Sequence, residues 1–266
     1  MLLNLTGKKI LVTGIANNRS IAWGIAQQLS KAGAELGITY LPDDKGRFES
    51  KVRELTEPLN PSLFLPLDVQ NPAQIEEIFK NIKDNWGQID GLVHCLAFAG
   101  RDELIGDYSA TTSEGFDRAL NISAYSLAPL CKAAKPLFSD GAGVVSLTYL
   151  GSERAIPNYN VMGVAKAALE ASIKYLAMDL GKNNIRVNAI SAGPVKTLAG
   201  AAISGARHVY KYSENVSPLK YNPELKEVGN SALYLLSDLS NGVTGNIHHV
   251  DGGLHSIAIP KSDDLD

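Results

Sequence analysis

The chain has 266 residues, 45% of them hydrophobic, with a formal net charge of −3. That length gives one large α/β domain or two small ones, and the composition is ordinary for a globular protein. The absence of a basic cluster argues against nucleic acid, and no run approaches the roughly 18 apolar residues of a membrane span. Two cysteines, Cys95 and Cys131, cannot build a disulfide framework, and no C-x-x-C pair marks a zinc site. The start, "MLLNLTGKKILVTG", runs straight into a strand pattern. No signal peptide is expected, and the working assignment is a cytoplasmic protein with reduced thiols.

Short β-branched runs then alternate with longer amphipathic ones. "KKILVTG" (8–14) reads as a first strand, and "SIAWGIAQQLSKAG" (20–33) as a helix with Ile21, Ile25 and Leu29 at helical spacing. "AELGITY" (34–40) is a second strand, 43–57 a charged helix ending near Pro58, and "SLFLPLDV" (62–69) a third strand. "PAQIEEIFKNIKDNWG" (72–87) starts with proline and ends with glycine, as helices prefer. "QIDGLVHCLAF" (88–98) and "GAGVVSLTYL" (141–150) are the fourth and fifth strands, and a long apolar-periodic helix follows the fifth. "NIRVNAISAG" (184–193) is a sixth strand, "ELKEVGNSALYLLSDLS" (224–240) a late helix, and "NIHHVDGG" (246–253) a seventh strand. His248 and His249 fall on alternate faces of that last strand, which favours a structural role over a metal site.

Strands separated by helices pair in parallel through right-handed crossovers, and runs as apolar as "KILV" suit burial on both faces. The expected fold is α/β, a single-domain Rossmann-type doubly wound parallel seven-stranded sheet with helices on both faces. No linker or repeat divides it, so the domain is read as 1–258, with an acidic, disordered tail at 259–266.

In such a sheet a ligand lies beyond the carboxyl ends of the strands, where the strand order reverses. The first strand ends in "TGIANNRSIAWGIA", where Gly14 allows a tight turn and a helix opens at Ser20, Ile21 and Ala22. Free N–H groups and the positive dipole end at a helix start bind a pyrophosphate. The usual G-x-G-x-x-G is absent, and a plain turn with Ser20 as N-cap is an equal reading of this stretch alone. Other strand ends add weight. Asp68 and Val69 close the third strand, where a carboxylate and backbone could meet an adenine. "HCLAFAG" (94–100) leaves room for a flat ligand, and "SAGPVKTLAG" (191–200) offers the Thr197 hydroxyl. The tip of the second strand, Tyr40-Leu41, holds no arginine, although Asp43, Asp44, Lys45 and Arg47 follow. NADH is therefore the expected cofactor, with NADPH the alternative.

Tyr159 precedes Lys166 by seven residues, two helical turns, and Tyr149 ends the fifth strand at the cofactor edge. A lysine beside a phenol would lower its pKa from about 10, making Tyr159 a proton donor or oxyanion donor. The plain alternative is two tyrosines packed at the edge of a core.

Together "TGIANNRSIAWGIA", "LVHCLAFA", Tyr149, "PNYNVMGVAKAALE" and "RVNAISAGPVKTLA" resemble the enoyl-acyl-carrier-protein reductases of dissociated fatty-acid synthesis. Those enzymes are divergent short-chain dehydrogenases/reductases. The discriminating mark is Tyr-x6-Lys, because most short-chain dehydrogenases carry Tyr-x3-Lys and the x3 position here is Gly163. The resemblance implies reduction of a trans-2-enoyl thioester on acyl carrier protein. It places Tyr159 on the thioester oxygen, Lys166 on the nicotinamide ribose, and Tyr149 lining the site. It sets Gly14, Ser20 and Ile21 along the adenosine and pyrophosphate, Asp68 and Val69 at the adenine, Leu96 by the cofactor and Ala99 beside the substrate. Val195, Lys196, Thr197, Leu198 and Ala199 would face the carboxamide and phosphates. It also implies a homotetramer and a substrate-covering lid at 197–215, in the stretch where Gly205, His208, Tyr210 and Lys211 depart from the family pattern. The loop bearing Ser152, Glu153 and Arg154 is likewise more polar than the pattern. Two other readings compete: a ketone or hydroxyl reductase using Ser146 and Tyr159, and an NAD(H)-sensing regulator without turnover.

Overall fold

Successive side chains of the first strand point to opposite faces, and the core follows that alternation. In the computed structural model, which describes residues 3–201 and 203–264, β1 is Lys9–Val12. Its Leu11 packs into one buried cluster while Ile10 and Val12 pack into another. The same division holds for Leu92 against Val93 in β4 (Ile89–His94) and for Val144 against Val145 in β5 (Phe138–Thr148). Strands apolar on both faces must be covered twice.

One face is covered by α1 (Ile21–Lys31), α2 (Arg47–Thr56) and α9 (Leu225–Leu236), through Ile25, Leu29, Val52, Val228 and Leu235. The other is covered by α3 (Pro72–Trp86), α5 (Leu127–Ala134) and α6 (Asn160–Gly181), through Ile78, Ile82, Leu130, Leu169 and Ile173. The remaining strands are β2 (Glu35–Tyr40), β3 (Leu63–Pro66), β6 (Arg186–Ala192) and β7 (Ile247–Val250). Their order across the sheet is β3-β2-β1-β4-β5-β6-β7, with every pairing parallel. The order reverses between β1 and β4, so the crevice for a ligand opens there. The doubly wound seven-stranded sheet is the one expected.

Two features differ from the sequence reading. Strand β5 begins at Phe138, ahead of the glycines, and β4 stops at His94, which frees residues 95–100 as a loop beside β1. The span between β4 and β5 also holds α4 (Ser113–Leu120) and α5, joined by a π-helical turn at Asn121–Tyr125. That extra residue per turn breaks the 3.6-residue period by which helices are read in a sequence.

Gly24, in the first turn of α1, serves helix packing. A Cβ there would sit 2.6 Å from Leu225 O, and one on Gly229 would sit 2.6 Å from Gly24 O, so α1 and α9 meet backbone to backbone. The C-terminal stretch is pinned at three points. Arg154 donates to Ile257 O and His255 O at 2.7 and 2.6 Å, and Asp264 pairs with Lys220. Among the described residues, no helix is long and apolar enough to cross a membrane.

Candidate active site

The floor of the crevice is the turn after β1. Gly14 has φ +88°, and a Cβ there would lie 2.0 Å from Cys95 O, so only glycine lets this turn close against the end of β4. Thr13 donates to Val93 O at 2.9 Å, which ties the turn to β4. Ser20 occupies the N-cap position of α1, but its hydroxyl does not cap the helix; it accepts from Ala16 N and Asn17 N at 3.1 Å each. The serine therefore shapes the turn, and α1 opens with neither a side-chain cap nor an acidic residue in its first turn. Half-buried Ile21 packs on the core beneath. Such a helix start suits an anion.

Beyond β3, Asp68 accepts from Gln70 N at 2.9 Å and its N–H donates to Gln74 Oε1 at 2.7 Å, so its side chain braces its own turn. Val69, beyond β3, and Leu96, beyond β4, pack half-buried on the same core cluster. Ala99 lies half-buried in the loop after β4. The adjacent Phe98 N–H donates to Ser123 Oγ at 2.9 Å, and that serine is presented by the π turn.

The tyrosines do come together. Tyr149 follows β5 directly and Tyr159 precedes α6, with ring centroids 5.1 Å apart at an interplanar angle of 78°, an edge-to-face contact. Lys166 lies in the second turn of α6, 5% exposed, and its Nζ donates to Leu147 O at 2.6 Å. That bond overturns one expectation. The ammonium does not depress the Tyr159 phenol; burial, then nearby Tyr149 and Glu170, hold that phenol above the ordinary tyrosine value. Tyr149 is pushed up to about 12 by burial and then by Tyr210. Both remain neutral donors at neutral pH. Burial lowers Lys166 to about 8, against the pull of Cys95 and Glu170.

The spacing of tyrosine and lysine has a steric cause. A Cβ on Gly163 would lie 2.7 Å from Gly151 O, and one on Gly151 would lie 2.4 Å from the Tyr159 ring. The loop after β5 thus rests directly on α6 where a Tyr-x3-Lys protein would place its lysine. Ser146 is equally closed to the ketone-reductase reading: it is fully buried, 2.8 Å from His94 Nδ1. His94, overlooked in the sequence, has its Nε2 2.9 Å from Ser126 Oγ, and burial with neighbouring Lys166 lowers it to about 3. A histidine directly after the apolar Leu92-Val93 at the end of the strand was the available signal.

The stretch after β6 covers one flank. Val195 is buried, and its carbonyl accepts from Thr197 N at 2.8 Å and Tyr210 Oη at 2.9 Å. Thr197 Oγ1 accepts from Gly200 N at 2.8 Å at the head of α7 (Leu198–Ala201). Lys196, Leu198 and Ala199 are exposed. The next helix is α8 (Ala206–Val216). Arg19, Lys196, Thr197, Arg207 and Tyr210 line a cavity of about 410 Å³ between this stretch and the β1 turn. Lys211 completes four cationic side chains in its lining, beside one acid, Glu214.

A family model described as enoyl-(acyl carrier protein) reductase matches residues 14–255. The chain belongs to the enoyl-acyl-carrier-protein reductase family. The NADH enoyl-acyl-carrier-protein reductase FabI of Nostoc sp. is 61% identical, covering 95% of this chain and 98% of its own. That of Bacillus subtilis is 51% identical, over 96% and 98%. Among solved structures, the Anaplasma phagocytophilum reductase in complex with NAD has a TM-score of 0.92 at 43% identity, covering 97% of this chain and 96% of that one. The Bacillus cereus reductase, with NADP+ and indole naphthyridinone, has a TM-score of 0.92 at 48% identity, over 96% and 99%. Family membership argues against the NAD(H)-sensing regulator, which would be expected to lack Tyr159 or Lys166; both are in place.

Proposed function

We propose that this chain reduces the carbon–carbon double bond of trans-2-enoyl thioesters carried on acyl carrier protein, with NADH as cofactor. The observation that carries the reading is the edge-to-face Tyr149–Tyr159 pair, with Lys166 buried in the helix that follows. It is joined to a close approach at Gly163 that excludes the common lysine position.

The residues fit a dinucleotide. The uncapped start of α1, with no first-turn acid, can receive a pyrophosphate, and Gly14 admits close backbone approach. Ser20 and Ile21 would flank it, with Asp68 and Val69 at the adenine and Leu96 beside the cofactor. Val195, Lys196, Thr197, Leu198 and Ala199 would border the carboxamide and phosphates. Beyond the tip of β2, in α2, Arg47 is paired with Asp43 at 3.6 Å and Arg53 with Glu49 at 2.8 Å. Both guanidiniums are thereby partly neutralised, which favours NADH over a 2′-phosphorylated cofactor.

When bound, the cofactor supplies hydride to the β-carbon of the substrate. The thioester oxygen gains negative charge as that carbon is attacked, and Tyr159 donates its O–H to it. A phenol held neutral by burial is a donor that needs no reorganisation, and one such donor is worth roughly 10²–10³ in rate. Lys166 stays cationic below about pH 8 and holds the nicotinamide ribose. Tyr149 and Ala99 bound the acyl chain, and segment 197–215 covers it. The exposed Tyr125, Tyr175 and Met178, at 62%, 68% and 69%, form apolar surface that suits burial between copies, as in a homotetramer.

NADH oxidation with a four-carbon trans-2-enoyl thioester on acyl carrier protein is expected, and none with the 3-oxoacyl thioester. Turnover of the 3-oxoacyl compound alone would overturn the reading.

A further inference from the structure

Among the described residues, five other than glycine have left-handed φ, and two of these flank Tyr159: Asn158 at +61° and Asn160 at +40°. Tyr159 between them is right-handed at φ −88°, so the backbone reverses hand twice within three residues. L-residues resist this region, asparagine least, and paired reversals persist only where the surroundings hold them.

The holding contacts are specific. Asn158 Nδ2 donates to Ser204 O at 2.8 Å, and Asn160 Nδ2 donates to Gly106 O at 3.1 Å. Ser204 immediately precedes Gly205, at φ +78°, which opens α8; Gly106 is itself at φ +79°. Each amide therefore reaches a left-handed glycine turn in a different segment, one in 203–216 and one in 101–110. On its other side the Tyr159 ring meets Tyr149 and Gly151. The backbone of Tyr159 is the junction between these two segments.

We propose that Asn158 and Asn160 are positioning residues that register the Tyr159 phenol against the 203–216 and 101–110 segments. The movement of either segment is thereby felt at the oxyanion donor. The inference rests on the reading of Tyr159 given above. Ordinary turn asparagines would hold a turn and nothing more, and Asn60, left-handed at +48° and far from the site, is the comparison.

Asn158→Gly and Asn160→Gly keep the backbone hand while deleting the amide. Each is expected to lower kcat with the enoyl thioester about tenfold, with KM and NADH affinity unchanged, while Asn60→Gly changes neither. In a Tyr159→Phe background the same changes should cost nothing further, because they act through the phenol. Wild-type kcat in both glycine variants, or losses that multiply with Tyr159→Phe, would overturn the proposal. Hydrogen exchange of the NADH complex gives a readout independent of turnover. Asn158→Gly should raise exchange jointly at 203–207 and 159–163, and unchanged exchange at 203–207 would overturn the coupling. An inactive wild type with that joint rise would instead remove the enoyl-reductase reading and keep the coupling.

Discussion

The β1 turn and the 198–216 segment border the same carboxyl end of the sheet, yet they are held in opposite ways. The turn is locked by sterics and burial: Gly14 touches Cys95 O, Thr13 is fully buried, and Val12 and Val93 lie in the core below. In α8 only Ser213 and Val216 are buried, while Leu198 and Tyr212 are 50% and 44% exposed. Single polar contacts hold that segment, from Tyr210 Oη to Val195 O, Asn222 Nδ2 to Tyr210 O and Asn158 Nδ2 to Ser204 O. A hydrogen bond contributes a net ~0.5–1.5 kcal/mol, and a buried Val or Leu side chain ~1.5–3. The segment can therefore open at a cost the turn could not meet. On the proposed reading, the turn would fix the cofactor and the segment would admit the substrate.

The largest effect expected from this difference is in Gly14→Ala. Its Cβ would collide with backbone at 2.0 Å in a left-handed conformation, and a loss of about 4 kcal/mol is expected in urea unfolding. Gly205→Ala, also left-handed but with its nearest neighbour 3.6 Å away, should cost about 1–2 kcal/mol. Equal losses would break the comparison.

Tyr159→Phe, at the junction of the two sides, should lower kcat by roughly 10²–10³ and leave NADH affinity intact, as read by single-turnover kinetics and NADH titration. Unchanged turnover would move the donor role to Tyr149.

The third effect concerns pH. Burial lowers Lys166 to about 8, and its charged form is the one assigned to the ribose, so kcat/KM for NADH should fall as pH rises through about 8. The sign for stability is the reverse. A lysine depressed on folding adds stability above its unfolded value of 10.5, which is lost as pH falls through 8, so at pH 7 the buried charge is a burden. Lys166→Met should therefore be about 1 kcal/mol more stable at pH 7 while binding NADH weakly. A less stable variant would show that the bond to Leu147 O outweighs the desolvation of the ammonium.

The smallest effect is in Tyr210→Phe, which removes one tether to Val195 O. It should leave global stability within about 1 kcal/mol while hastening amide exchange in 197–216. Unaltered exchange there would mean that the segment is a fixed wall.

Strands such as β1 were legible as short apolar runs buried on both faces, and Tyr149, Tyr159 and Lys166 because their spacing is a sequence property. Distances and directions were not legible. Lys166 points at Leu147 O rather than at the phenol, and Gly163 matters only because Gly151 lies against it. The helices between β4 and β5 escaped because the π turn at Asn121–Tyr125 shifts the phase of their apolar residues. The roles of Ser20 and Asp68 within their own turns likewise depend on backbone geometry no spacing encodes.

The most direct test of the central claim is hydride tracing. With NADH deuterated at the transferring C4 position and a trans-2-enoyl thioester, the wild-type protein should yield a saturated acyl product carrying one deuterium on its β-carbon. Deuterium on a carbinol carbon, from a 3-oxo substrate, or a product without deuterium would contradict it.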